Sequence, residues 1–227
     1  MNRWPGAGAL SICCGKGNNA GDGYIIAGLA LEIGVSVELV QLGDPGQLVG
    51  TAAQARDWAL SRGVEILSGP TDGLRGDVVV DALLGTGIVG DLRPAYQDMV
   101  KVINQSGSGV LAVDVPTGVD PDTGSACETS VRADVTVTFI GRKLGLYTGP
   151  GVSLRGDVVY ARLGVPDEVF RSGQGCSLLR YEGWAPWVFF CFKSSAATRV
   201  SPRRAGRRRA RVHEVSTMGL EPMTSSL

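Results

Sequence analysis

The sequence predicts an α/β protein built on a three-layer, doubly wound, mainly parallel sheet, Rossmann-like in layout. Three observations support this. Apolar, β-rich runs alternate with stretches at helical spacing. The runs VVVDALL and VLAVDV are nearly continuous in apolar residues, as expected of strands buried on both faces. Polar and glycine-rich segments fall repeatedly just after strands, where open α/β sheets bind their ligands.

The first strand is read over Ala9–Cys14 and is followed by helical spacing over Asp22–Ile33, with Tyr24, Ala27, Ala30 and Leu31 on one face. A second strand at Ser36–Leu42 precedes helical spacing over Gln47–Ser61. Strands at Val64–Leu67 and Asp77–Leu84 lead to a third helix over Ala95–Ser106. Strands at Gly109–Val115 and Val131–Ile140 follow, with a last one near Asp157–Leu163. Strand, helix, strand in repetition implies right-handed crossovers and helices on both sheet faces.

Residues 1–9 form a shortened leading segment, and the domain is read over 10–175. From about Cys176 the text changes: WAPWVFFCFK has no evident partner strand, and the arginine-rich SPRRAGRRRARVHE follows it. Residues 176–227 are therefore expected to be a disordered, solvated tail outside the domain.

The chain has 227 residues, is 44% hydrophobic and carries no net charge, which suits an ordinary globular domain. The balance conceals an asymmetry. Residues 180–227 hold nine Arg or Lys against three acids, and residues 1–179 hold thirteen against nineteen. The body thus lacks the basic face that phosphate-backbone contacts need, so nucleic acid is not an expected partner. No apolar run is long enough to span a bilayer, and a cytoplasmic location is the expectation. The five cysteines form neither a disulfide framework nor a zinc spacing, and Cys13-Cys14 lies in an apolar run that buries at least one thiol.

Three loops carry chemistry. GKGNNAGDG, Gly15 to Gly23, follows the first strand and opens a helix. Its glycines permit close backbone approach, and the following helix start can bind an anion. It is not a P-loop, because no Gly-Lys-Ser/Thr follows. Asn18, Asn19 and Asp22 add carboxamides and a carboxylate; the alternative is an Asn-rich turn capped by Asp22. In VVVDALLGTGIVGDLR, Asp81 sits late in an apolar strand, where an unpartnered carboxylate is costly. It is either a ligand or a strand-end cap. In AVDVPTGVDPDTG, Asp114 again interrupts an apolar strand. Simple alternation puts Asp114 and Pro116 on one side and Val113 and Val115 on the other. Asn19, Asp81, Asp114 and Thr117 together offer hard oxygen donors suited to a weakly held hard cation. The lone histidine, His213, lies in the tail, so Ser-His-Asp and Cys-His catalysis are excluded from the body.

GKGNNAGDG, VVDALLGTGIVGDLR, VDVPTGVDPDTG and TFIGRKLGLYTGPG, in this order, resemble the NAD(P)H-hydrate epimerase family (the YjeF amino-terminal domain) from about Leu10 to Phe170. The resemblance implies an isomerase that interconverts the R and S forms of hydrated NADH or NADPH (NADHX, NADPHX) at C6, a metabolite repair reaction. It implies that Asn18, Asn19, Ala20, Gly21 and Asp22, with Gly85, Thr86, Gly87, Ile88, Val89, Gly90 and Asp91, hold substrate. It implies that Asp114 contacts substrate, and that Asn19, Asp81 and Thr117 hold a potassium ion. Chemistry adds that Asp114 can act as acid and then base at a hemiaminal carbon. A homodimer is compatible with the family. Family members begin with helices before the first strand, where MNRWPGAGA stands here, and many bacterial relatives continue into a dehydratase domain whose motifs are absent from this text. Two other readings compete. One is an inactive nucleotide- or partner-binding module. The other is an NAD-dependent dehydrogenase, poorly matched because its second strand ends Val40-Gln41-Leu42-Gly43 without an acid for the ribose.

Overall fold

The computed structural model describes residues 3–69, 73–87, 90–166 and 168, and the backbone of 176–179 and 190–193. Seven strands form one sheet: β1 Ala9–Cys14, β2 Ser36–Gln41, β3 Ile66–Ser68, β4 Val78–Ala82, β5 Gly109–Val113, β6 Val135–Phe139 and β7 Asp157–Ala161. Their order is β3-β2-β1-β4-β5-β6-β7, and each neighbouring pair is parallel. The order reverses between β1 and β4, which places a ligand crevice outside their carboxyl ends.

Helices α1 Asn18–Glu32 and α2 Gly50–Leu60 cover one face, packing Tyr24, Ala27, Ala52 and Ala59 against Ile12, Cys14, Leu39 and Val80. On the other face α3, Pro94–Gln105, packs against Cys13, Val40 and Val79. Its buried residues Tyr96, Met99, Val100 and Ile103 follow the i, i+3, i+4, i+7 spacing of one helix face. Adjacent strand residues point to opposite faces, so Cys13 and Cys14 enter different cores and both are fully buried.

Several boundaries differ from expectation, each for a local reason. The first helix begins at Asn18 rather than Asp22, with Gly17 as its N-cap, so Asp22 does not cap it. β4 stops at Ala82 because Leu83 N–H turns back onto the Asp81 carboxylate. β5 stops at Val113 because Asp114 adopts a left-handed conformation, φ +68°. That turn also breaks the expected alternation: Val113 joins the α1–α2 core, while Val115 packs with Val119 and Leu146. β6 begins only at Val135, since Val131 N–H, Ala133 N–H and Asp134 N–H bond to Thr117, Leu154 and Val110. A short helix α4, Gly151–Leu154, precedes β7.

The chain divides into two compact units, Met1–Pro166 and Asp167–Leu227. In the second, β8 Cys176–Leu179 and β9 Phe190–Lys193 pair antiparallel. Phe190–Lys193, the end of the aromatic run, therefore does have a partner strand, contrary to expectation. Its partner, CSLL, is a short apolar run that carries no distinctive turn signal. His213 and the arginine run lie outside the described residues. No helix among the described residues is long and apolar enough to cross a membrane.

Candidate functional site

The site is built from the segments that leave β1, β4 and β5. Gly15 ends β1 against the next strand: its N–H bonds to Ala82 O at 3.2 Å, and a Cβ there would stand 1.9 Å from Leu83 O. Only glycine permits that approach. Gln41, fully buried at the end of β2, donates to Gly15 O at 2.6 Å and to Leu42 O at 3.0 Å, and accepts from Tyr24 Oη at 2.9 Å. Every polar atom of its amide is thus engaged inside the protein, and the β1–α1 turn is fixed from below.

Asp81, at the end of β4, and Thr117, in the segment that leaves β5, join these two strand ends, and both are fully buried. The Asp81 carboxylate accepts from Thr117 N–H at 2.8 Å, from Thr117 Oγ1 at 2.8 Å and from Leu83 N–H at 3.2 Å. Thr117 Oγ1 also accepts from Leu84 N–H at 3.1 Å, which ties the β5 loop to the β4 loop. Burial raises the Asp81 carboxyl to about 6, and the bonds from Thr117 and Leu83 oppose the rise.

Asn19 lies in the first turn of α1, 9% exposed, and a Cβ at Gly85 would stand 3.4 Å from its carboxamide. Its Nδ2 is buried with no hydrogen-bond partner, an expensive state for a polar group. The carboxamide oxygen of Asn19, the Thr117 hydroxyl and the Asp81 carboxylate make a donor set of oxygens bearing a single negative charge. Such a set fits a monovalent hard cation better than a divalent or soft one. Among the described residues no group of three or more His, Cys, Asp or Glu is arranged to hold a metal ion.

Asp114 occupies the carboxyl end of β5. Its left-handed backbone costs on the order of 1 kcal/mol for a non-glycine residue. The same turn directs Oδ1 toward β6, where it accepts from Thr138 Oγ1 at 3.1 Å and Phe139 N–H at 3.3 Å. Lys143 Nζ forms an ion pair with the same oxygen and donates to Phe139 O at 2.9 Å. The two side chains are 15% and 18% exposed, so the pair is largely sheltered yet reachable. Asp22, on the exposed side of α1, has its carboxyl pushed up by desolvation first and by the charge of Asp114 second.

Asn19 lies against Gly85, and Asp81 and Thr117 are bonded to each other, with Thr117 also bonded to Leu84 next to Gly85, so these four meet in one place. Asn18 is exposed at the start of α1; Ala20 and Gly21 are buried in its first turn. Thr86, Gly87 and Gly90 are exposed, whereas Ile88 and Val89 lie outside the described residues. Asp91 lines a polar cleft with Leu92, Gln97, Cys127, Glu128 and Thr129. Sequence reasoning did not single out Lys143, Thr138 or Gln41. Lys143 stands inside TFIGRKLGLYTGPG, but no local feature marks it over Arg142.

The family model described as YjeF-related protein N-terminus matches residues 2–145. The bifunctional NAD(P)H-hydrate repair enzyme Nnr of Coxiella burnetii is 44% identical over 173 residues, covering 76% of this chain and 36% of that protein. The NAD(P)H-hydrate epimerase of Rhodopirellula baltica is 37% identical over 169 residues, covering 72% of this chain and 69% of that protein. The chain spans about a third of the length of the bifunctional relatives it matches. The crystal structure of yeast YNL200c aligns with a TM-score of 0.60 at 20% identity, over 81% of this chain and 78% of that one, a likeness of fold.

Proposed function

The chain belongs to the family of the YjeF-related protein N-terminus, and we propose that it interconverts the R and S forms of hydrated NADH and NADPH at C6. The observation that carries this reading is the sheltered Asp114–Lys143 pair at the carboxyl end of β5, beside the strand end that carries the Asp81–Thr117 bond. The relatives' names supply the substrate class, and the pair supplies a proton path.

C6 of the hydrate bears both a hydroxyl and the ring nitrogen. Once that hydroxyl is protonated it leaves as water, and the nitrogen lone pair closes an iminium. Water then adds to either face and loses a proton, which restores the hydrate with either configuration. Asp114 delivers the first proton and accepts the second. Lys143 Nζ, bonded to the same carboxylate oxygen, offsets the negative charge left on Asp114 between the two steps. The positive φ of Asp114 serves this geometry, since an extended residue there would continue β5.

Asn19, Asp81 and Thr117 are the residues that would hold a potassium ion. When bound, the ion supplies positive charge that offsets the Asp81 carboxylate and orders the loops of β1, β4 and β5. The first turn of α1 and Gly85 lie against each other here, and Asn18 to Asp22 with the Gly85–Asp91 segment would take the substrate.

The test is to start from one separated epimer of hydrated NADPH and follow the other by chromatography, with potassium or a large organic cation in the buffer. The proposal expects equilibration far faster than in buffer alone and faster with potassium. A thermal shift on adding the hydrate, without any gain in interconversion, would instead assign the chain as a binding module.

A further inference from the structure

We infer that Lys16 recognises the adenosine 2′-phosphate of hydrated NADPH, so that this site favours the phosphorylated dinucleotide; the ligand class rests on the reading above. Lys16 follows Gly15 in the turn between β1 and α1 and is exposed. Its main chain is anchored through its neighbour: Gly15 N–H donates to Ala82 O at 3.2 Å and Gly15 O accepts from Gln41 Nε2 at 2.6 Å. Its side chain lies across Gly43, just beyond the end of β2. A Cβ at Gly43 would stand 2.3 Å from Lys16 Cε and 3.1 Å from Nζ. Gly43, at φ +85°, is therefore the floor on which the lysine rests.

In sheets of this strand order, the pyrophosphate of a dinucleotide sits at the first helix N-terminus. The end of the second strand then reads the adenosine ribose, with an acid for a 2′-hydroxyl or a cation for a 2′-phosphate. Here the residue at that strand end, Gln41, is sealed and fully bonded to Gly15, Leu42 and Tyr24. It presents neither a carboxylate to bind hydroxyls nor one to repel a phosphate. Asp44, next after Gly43, uses Oδ1 to accept from Gly46 N–H. Among the described residues the Lys16 ammonium has no acidic partner, so its charge is available to a ligand.

Two further observations agree. Asn19 Nδ2, in the first turn of α1, is a buried donor lacking a partner, as expected where a ligand completes the bonding. The sheet order also sets the reach. The strands run β2-β1-β4-β5, so the end of β2, over which the Lys16 ammonium lies, and Asp114 at the end of β5 are three strand spacings apart, about 14 Å. An extended dinucleotide bridges such a gap with its nicotinamide-derived ring at Asp114 and its adenosine at Lys16.

The test uses the full chain and two unreactive probes, 2′-phospho-ADP-ribose and ADP-ribose, in titration calorimetry at low salt. The wild type is expected to bind the phosphorylated probe about tenfold more tightly, the value of one charge-assisted phosphate contact. Lys16→Met abolishes the difference and Lys16→Arg restores most of it. In epimerisation, Lys16→Met raises KM for hydrated NADPH about tenfold more than for hydrated NADH, while kcat moves little. An equal loss for both probes would place Lys16 at the pyrophosphate and overturn the inference, as would no loss or no probe binding by the wild type. If the probes discriminate but no epimerisation occurs, the activity reading fails and Lys16 keeps its assignment. If epimerisation occurs but the probes do not discriminate, only the Lys16 assignment fails.

Discussion

Replacing Thr117 with valine removes one buried hydroxyl between the β4 and β5 strand ends and almost nothing else, because the two side chains share a branched shape. The lost group donates to Asp81 Oδ1 at 2.8 Å and accepts from Leu84 N–H at 3.1 Å. A hydrogen bond to a buried charged acceptor contributes about 2 kcal/mol, and the stranded Leu84 N–H adds about 1 kcal/mol. Thr117→Val should therefore destabilise the fold by about 3 kcal/mol near neutral pH. Thr117→Ser keeps the hydroxyl and loses one methyl, so about 1 kcal/mol is expected. Urea unfolding of both variants, read as the midpoint at unchanged m, measures the difference. A valine variant no less stable than the serine variant would refute the account of Asp81 and Thr117 as a bonded pair joining two loops.

The Asp81 carboxyl is raised from 3.8 to about 6 in the folded protein, so the native state binds that proton more tightly than the unfolded chain does. This group's contribution is then greatest below pH 4 and is lost as pH rises through 6, by about 3 kcal/mol in total. Asp81→Asn should lack that decline, so its stability relative to wild type should rise between pH 4 and 7, and potassium should shrink the wild-type decline; denaturation series across that pH range read both. Lys143→Met takes from Asp114 its ion-pair partner and should lower kcat about a hundredfold with KM changed little, while Lys143→Arg recovers part of the rate. Steady-state rates with one purified epimer check it.

The layered architecture was legible because parallel strands buried on both faces carry long apolar runs, and VVVDALL and VLAVDV show them plainly. The start of α1 was not. Asn18, Asn19 and Gly21 are turn-formers by propensity, yet they form the first helical turn because the helix packs tightly on α2. A Cβ at Gly21 would already stand 3.1 Å from Ala52 Cα. Asp81, Asp114 and Thr117 stood out as polar residues at the ends of apolar strands, a signal rooted in the cost of burying them. Lys143 gave no such signal. It lies 29 residues from Asp114 and meets it only because β6 pairs beside β5 and the chain turns back after Phe139. Gln41 was noticed only for not being an acid. Its bonds to Gly15 and Tyr24 depend on a crossover that periodicity does not reveal.

The account depends most on Asp114 carrying a proton to and from C6, and one comparison addresses it directly. The rate at which a single epimer of hydrated NADPH converts to the other is measured with wild type and with Asp114→Asn, after circular dichroism shows both folded. Loss of at least a hundredfold in the variant is the expected result. Conversion by Asp114→Asn at the wild-type rate would contradict it.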